Sequence, residues 1–310
     1  MGKTAYIFPG QGSQSPGMGK DIFDNYASAR TAFAEADEAL GFSISEMCFS
    51  GTDEQLALTA NTQPAILSTS VAVFRAMKEA GFRDPDYVAG HSLGEYSALV
   101  AAGAVSLRDA AETVRNRGSY MQEAVPVGVG AMAAIIGLDL QTVESACRES
   151  AEGQVCSPAN INSPRQIVIA GDSDAVDRAC EILKEKGAKR AIRLNVSAPF
   201  HCSLMTPAQI RLAEELNKIE FSDPAFPVVE NVTAEVNLSG DRIVSALTEQ
   251  VSSPVRWLQT VEKLIGLGVD TFVEVGPGKV LSGLVRQTDR EVQCFNVEDS
   301  ESLGNTLKTL

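Results

Sequence analysis

The five residues Gly90-His91-Ser92-Leu93-Gly94 constrain this chain more than any other segment. They follow Tyr87-Val88-Ala89, which reads as a buried strand, and they open Glu95-Tyr96-Ser97-Ala98-Leu99-Val100, which reads as a helix. A serine on a sharp strand-to-helix turn, with glycines two residues before and after, is a nucleophile elbow. The turn strains the serine backbone and crowds its neighbours, so both flanking positions want no side chain. The helix that follows points its amide-rich end at any oxyanion formed above the serine. A chain built this way needs a sheet beneath the turn and points to an α/β fold.

The surrounding pattern agrees. Thr4-Ala5-Tyr6-Ile7-Phe8 reads as a strand running into the turn Pro9-Gly10-Gln11-Gly12-Ser13-Gln14, and residues 64–80 and 93–102 read as helices. Ser106 with Asp109 resembles a capping box that starts a helix to about Glu123. Strands alternating with helices imply a parallel sheet. From residue 127 the rhythm changes to strand 131–136, helix 140–149, strand 156–161, strand 166–170, helix 174–186 and strand 188–196. That βαββαβ order is the split, ferredoxin-like pattern. It forms a small inserted domain over 127–197 or else continues one sheet, and the first is the preferred reading. Helices at 204–219 and 243–251 follow, with strands at 228–232, 271–275 and 292–297, so the main domain comprises 1–126 and 198–310.

Composition narrows the function classes. The 310 residues are 44% hydrophobic and 21% charged, enough to bury a sizeable core. A net charge of −14 argues against nucleic acid or an anionic membrane as partner. No stretch approaches the roughly 20 apolar residues of a membrane span, and residues 1–10 lack the charged start and apolar run of a signal peptide. The six cysteines are scattered without a CxxC pair, so neither a zinc site nor a disulfide framework is expected. A cytoplasmic protein with reduced thiols is the expectation.

A serine nucleophile needs a base, normally histidine, and this chain has two. His91 sits beside Ser92 on a tight turn and should point away from its hydroxyl. That leaves His201, in Ala198-Pro199-Phe200-His201-Cys202, where the chain enters a helix whose N-terminus disfavours imidazolium. The plain alternative is a histidine capping that helix; beside an elbow serine, the base is preferred. No aspartate or glutamate stands out as a third member.

Arg117 carries the substrate clue. Ala110, Ala111, Val114, Gly118 and Met121 form an apolar stripe at helical spacing, and Arg117 lies in it, whereas Arg108 and Arg115 do not. An inward-facing guanidinium needs an anion, either an internal carboxylate or the carboxylate of a substrate. The turn at Gly10 to Gln14 matches a dinucleotide fingerprint poorly, because Ser15 stands at the third glycine position. Its amides either complete an oxyanion hole or form a plain βα turn. Gly276-Pro277-Gly278-Lys279 fails as a P-loop, with Val280 at the Ser/Thr position, and Cys202 reads as an ordinary packed cysteine. The basic run 184–190 with Arg193 is either a solvated face or a docking patch for an acidic partner.

Together these motifs resemble the bacterial malonyl-CoA:acyl carrier protein transacylase family and, more distantly, the acyltransferase domains of fatty acid and polyketide synthases. The resemblance spans the chain: residues 8–14, Asn61-Thr62-Gln63-Pro64-Ala65, Gly90 to Glu95, Arg117, Asn160-Ile161-Asn162-Ser163-Pro164, Phe200-His201, Asn231-Val232-Thr233 and Glu274 to Gly278. It implies an α/β-hydrolase-like core with a ferredoxin-like insertion. It implies that Ser92 carries a malonyl group, that His201 is the base, that the backbone amides of Gln11 and Leu93 form the oxyanion hole, and that Arg117 holds the malonyl carboxylate. A backbone carbonyl at Gln250 would orient the histidine, Asn162 would line the pocket, and Phe200 agrees with malonyl-selecting members. The implied partners are malonyl-CoA and holo acyl carrier protein. No metal or resident cofactor is implied, and a monomer is expected.

Overall fold

The computed structural model describes residues 2–196 and 198–310. Among them ten strands form two sheets: β1 (Lys3–Phe8), β2 (Tyr87–Gly90), β3 (Gly130–Ile136), β4 (Cys156–Ser163), β5 (Gln166–Asp172), β6 (Arg190–Arg193), β7 (Val228–Val229), β8 (Val236–Asn237), β9 (Val269–Val275) and β10 (Gln293–Val297). The larger sheet runs β10-β9-β1-β2-β7-β8 and is parallel except for the β7–β8 pair. Ala5 to Phe8 are all buried, as a central parallel strand covered by helices on both faces requires. The smaller sheet runs β4-β5-β3-β6 and is antiparallel throughout. In chain order within the βαββαβ unit that is 4-1-3-2 read from β6, the ferredoxin-like arrangement. Its helices Leu140–Ala151 and Ser173–Glu185 bury Val143, Ala146, Cys147, Val176, Ala179 and Leu183 against it.

The segment between helices Ile243–Gln250 and Trp257–Gly266 docks on the smaller sheet at Val255, whose amide donates to the Ala159 carbonyl and whose carbonyl accepts from the Ile161 amide. This bridge sets Asn160 of β4 at the mouth of the cleft above the elbow.

Local differences from the expected elements have physical causes. The helix expected at 64–80 spans Thr59–Glu79, with Pro64 inside it. A proline there frees the carbonyl four residues earlier, and Arg115 satisfies it by donating to the Ala60 oxygen at 2.8 Å. The strand expected at 228–232 stops at Val229, because Glu230 turns back to pair with Glu235 while Asn231 turns to the elbow. The strand expected at 188–196 is limited to Arg190–Arg193. Residues 20–57, for which the pattern offered no assignment, form the helix Ala27–Leu40 and three short ones, and Phe23, Phe33 and Phe49 pack there with ring centroids 5.0–6.0 Å apart.

The elbow depends on absent side chains. A Cβ on Gly90 would lie 1.9 Å from the backbone of Gly94, and one on Gly94 would lie 2.0 Å from the Phe8 carbonyl oxygen. Strand, turn and helix approach one another as backbone, with no atom able to yield. Gly283, in helix Val280–Thr288, faces open space. Gly94→Ala is therefore expected to destabilise the fold by at least about 3 kcal/mol. Gly283→Ala should stabilise it by about 0.5–1 kcal/mol. Urea unfolding of the two variants checks both signs.

Candidate active site

Ser92 sits at the tip of the turn with φ 50°, a conformation that a non-glycine residue holds only when its surroundings enforce it. Asn231 supplies part of that enforcement. Its Oδ1 accepts from the Ser92 amide at 2.7 Å, and its Nδ2 donates to the Gly90 carbonyl at 2.7 Å. Gln250 supplies more, its Nε2 donating to the Ser92 carbonyl at 3.0 Å.

His201 lies 2.8 Å from Ser92 Oγ through Nε2 and 2.9 Å from the Gln250 carbonyl oxygen through Nδ1. A carbonyl only accepts, so the ring proton resides on Nδ1 and Nε2 is the acceptor for the serine hydroxyl. The third member of this relay is a main-chain oxygen at the end of helix Ile243–Gln250. Burial lowers the His201 pKa to about 3, reinforced by the nearby Arg117 charge. The expected cause, a helix N-terminus, is replaced by these two: desolvation and a neighbouring cation keep the ring neutral. His91 is turned away, donating from Nε2 to Asn162 Oδ1 at 2.8 Å with its ring near Trp257.

Arg117 is 1% exposed. Its Nη1 donates to Gln63 Oε1 at 2.8 Å, and Nη2 donates to Gln250 Oε1 at 2.9 Å and to Ser92 Oγ at 3.1 Å. Its plane lies over the Tyr96 ring, 5.7 Å from the centroid. Among the described residues no carboxylate pairs directly with it, and its Nε has no partner. Its hydrogen-bond acceptors are all neutral, and Glu95, a carboxyl within electrostatic reach, does not bond to it. Gly118, whose Cβ would fall 2.6 Å from the Thr59 carbonyl oxygen, lets this helix close on its neighbour and presses Arg117 inward.

Gln11, Gln63, His91, Ser92, Arg117, Met121, Met132, Asn160, Leu194, Val196, Phe200 and His201 enclose a cavity of about 120 Å³. A second cavity of about 230 Å³ adjoins it, sharing Gln11, His91, Asn160 and Leu194. The turn holding Gln11 lies against the elbow, since a Cβ on Gly10 would sit 2.4 Å from the His91 carbonyl oxygen. Among the described residues the backbone amides of Gln11 and Leu93 donate to no protein acceptor. A serine hydroxyl aimed at a neutral imidazole, two amides in its neighbourhood and an unneutralised guanidinium suit nucleophilic attack on a substrate bearing an anion.

Residues 5–308 match the acyl transferase domain family. The chain belongs to the acyl transferase domain family. It is 50% identical to the malonyl CoA-acyl carrier protein transacylase of Bacillus subtilis, over 100% of this chain and 98% of that protein. It is 51% identical to the one of Escherichia coli K12, over 93% of each. The solved malonyl CoA-acyl carrier protein transacylase of Coxiella burnetii superposes with a TM-score of 0.98 at 43% identity, over 100% of this chain and 98% of that one. A structure of a type II PKS acyl-carrier protein in complex with its malonyl-transacylase superposes with a TM-score of 0.97 at 46% identity, covering 99% and 100%.

Within this acyl transferase the structure brings Ser92, His201, Arg117 and Gln250 into one hydrogen-bonded set. It differs for Asn162, which holds His91 and lines the adjoining cavity, while Asn160 lines the cavity at Ser92. Gln63, Asn231 and Glu95 were not singled out from the residues. Gln63 sits one turn inside a helix beside a proline, where an amide looks like any polar residue. In the basic run, Lys184, Lys186 and Arg193 pair with Glu181, Glu149 and Asp177, a locally balanced face. Among the described residues no helix is long and apolar enough to cross a membrane, and none of their acidic, histidine and cysteine side chains group as a metal site.

Asn231→Ala removes both side-chain bonds that brace the elbow. It is expected to cost about 1–3 kcal/mol in stability and to slow labelling of Ser92 by phenylmethylsulfonyl fluoride at least about tenfold. Urea unfolding and the labelling rate by mass spectrometry check the two effects.

Proposed function

We propose that this chain moves a malonyl group from coenzyme A to the phosphopantetheine thiol of an acyl carrier protein, through an ester on Ser92. The observation that carries the reading is Arg117, a guanidinium buried without a carboxylate bonded to it and 3.1 Å from the nucleophilic oxygen. A neutral acyl group would leave that charge unanswered; the free carboxylate of malonate answers it with a bidentate pair.

In the first half-reaction Ser92 Oγ attacks the thioester carbonyl while its proton passes to His201 Nε2. The amides of Gln11 and Leu93 receive the developing oxyanion. The C–S bond breaks, and coenzyme A leaves as a thiol with the proton returned by His201. In the second half-reaction the carrier's thiol loses its proton to His201 and attacks malonyl-Ser92, and Oγ recovers the proton as the ester breaks. The carbonyl of Gln250 holds the imidazole tautomer throughout. The apolar wall of Met121, Met132, Val196 and Phe200 limits access of water to the ester. The chemistry needs no metal and no resident cofactor. One chain supplies the whole set, in keeping with a monomer, and its six free cysteines agree with a cytoplasmic setting.

Arg117→Ala is expected to lower kcat/KM for malonyl-CoA at least about a hundredfold and to leave the slow reaction with acetyl-CoA nearly unchanged. Equal losses on both would show that Arg117 serves structure alone. Ser92→Ala should yield no malonyl adduct in the intact mass spectrum.

A further inference from the structure

Glu95 is a carboxylic acid in the first turn of the elbow helix, 3% exposed, and the steps above make no use of it. Its Oε2 accepts from Gln250 Nε2 at 2.7 Å and from the Asn231 amide at 3.2 Å. These partners are the two residues that grip the reacting groups. Asn231 holds the Ser92 amide, and Gln250 holds the Ser92 carbonyl, the His201 Nδ1–H and one arm of Arg117. The end of helix Ile243–Gln250, the turn after β7 and the elbow helix thus converge on one carboxylate oxygen.

We infer that Glu95 is a positioning residue for acyl transfer, its carboxylate locking Gln250 and Asn231 so that Ser92, His201 and Arg117 stay in register. Without it the Gln250 amide is free to rotate, and rotation would release the Ser92 carbonyl and Arg117 together. The inference rests on the malonyl-transfer reading for its substrate, while the geometry it invokes belongs to the free protein.

The carboxyl also has a signature. Burial raises its pKa to about 7; the hydrogen bonds from Gln250 and Asn231 oppose that, Glu230 adds to it and Arg117 opposes it. Tyr96 also faces it, with its own ionisation pushed up by burial. His201, held near 3, does not titrate in this range. An ionised carboxylate is the stronger acceptor, so the clamp tightens as pH rises through about 7 and slackens below it.

The test is the single-turnover rate of Ser92 acylation by malonyl-CoA across pH 5.5–8.5, with phenylmethylsulfonyl fluoride as a second probe that needs Ser92 and His201 but no carboxylate. The wild-type rate should rise about tenfold through neutrality with both probes. Glu95→Gln keeps one oxygen for both donors and loses the charge, so its profile should be flat and lie near the acid limb of the wild type. Glu95→Ala should fall at least about a hundredfold below wild type at pH 8 per folded molecule. If Glu95→Ala fails to fold, the flat profile of Glu95→Gln decides alone. A neutral inflection that persists in Glu95→Gln, or wild-type rates in both variants, would overturn the inference. A wild type that reacts with phenylmethylsulfonyl fluoride but not with malonyl-CoA would overturn the substrate reading instead, leaving the fluoride profiles to judge Glu95.

Discussion

A guanidinium buried beside a nucleophilic oxygen, with amides and a hydroxyl around it instead of a carboxylate, is the interaction on which the rest of this site depends. Taking an unpaired cation out of water is costly by several kcal/mol. The fold bears that cost through Gln63, Gln250 and the face of Tyr96, which solvate the charge without cancelling it. The cost is recovered when an anion arrives. A site tuned this way discriminates by charge at the end of the acyl chain remote from the thioester.

The histidine relay follows from the same constraint. A carboxylate beneath His201 would hold its tautomer but would also draw Arg117 into an internal pair and repel an anionic substrate. A main-chain carbonyl orients the ring and adds no net charge. With Arg117 nearby and little solvent, the imidazole stays neutral over the whole working range. In the proposed reaction a substrate carboxylate on Arg117 would remove one cause of the lowered basicity, and the base would strengthen as the substrate binds. On that proposal, recognition and proton abstraction are coupled through one cation.

What could be read from the chain was what local chemistry dictates. The elbow was legible because steric exclusion at Gly90 and Gly94 writes itself into five consecutive residues. The inward direction of Arg117 was legible from the stripe around it, and the two-sheet division from the change of rhythm after residue 127. The helices over 20–57 were not: Lys20–Asn25, Ile44–Ser50 and Asp53–Ala57 are too brief to show a sustained period, and the buried stripe of Ala27–Leu40 (Ala29, Ala32, Phe33, Ala36) is mostly alanine and contrasts weakly with its polar face. Nor were Glu95, Asn231 and Gln63, whose importance lies in partners up to 155 positions away. Long-range polar networks leave no spacing in the sequence. Asn162 illustrates the limit: Asn160 and Asn162, two positions apart on β4, both line the adjoining cavity, and the residues alone did not tell which of them reaches the cavity at Ser92.

The most direct measurement is the fate of the labelled malonyl group. Enzyme incubated with radiolabelled malonyl-CoA, digested and mapped, should carry the label on the peptide containing Ser92 and nowhere else. Adding holo carrier protein should then move it to the carrier's thiol faster than it appears as free malonate. Label released mainly as malonate in the presence of carrier, or attached to a peptide lacking Ser92, would contradict the account.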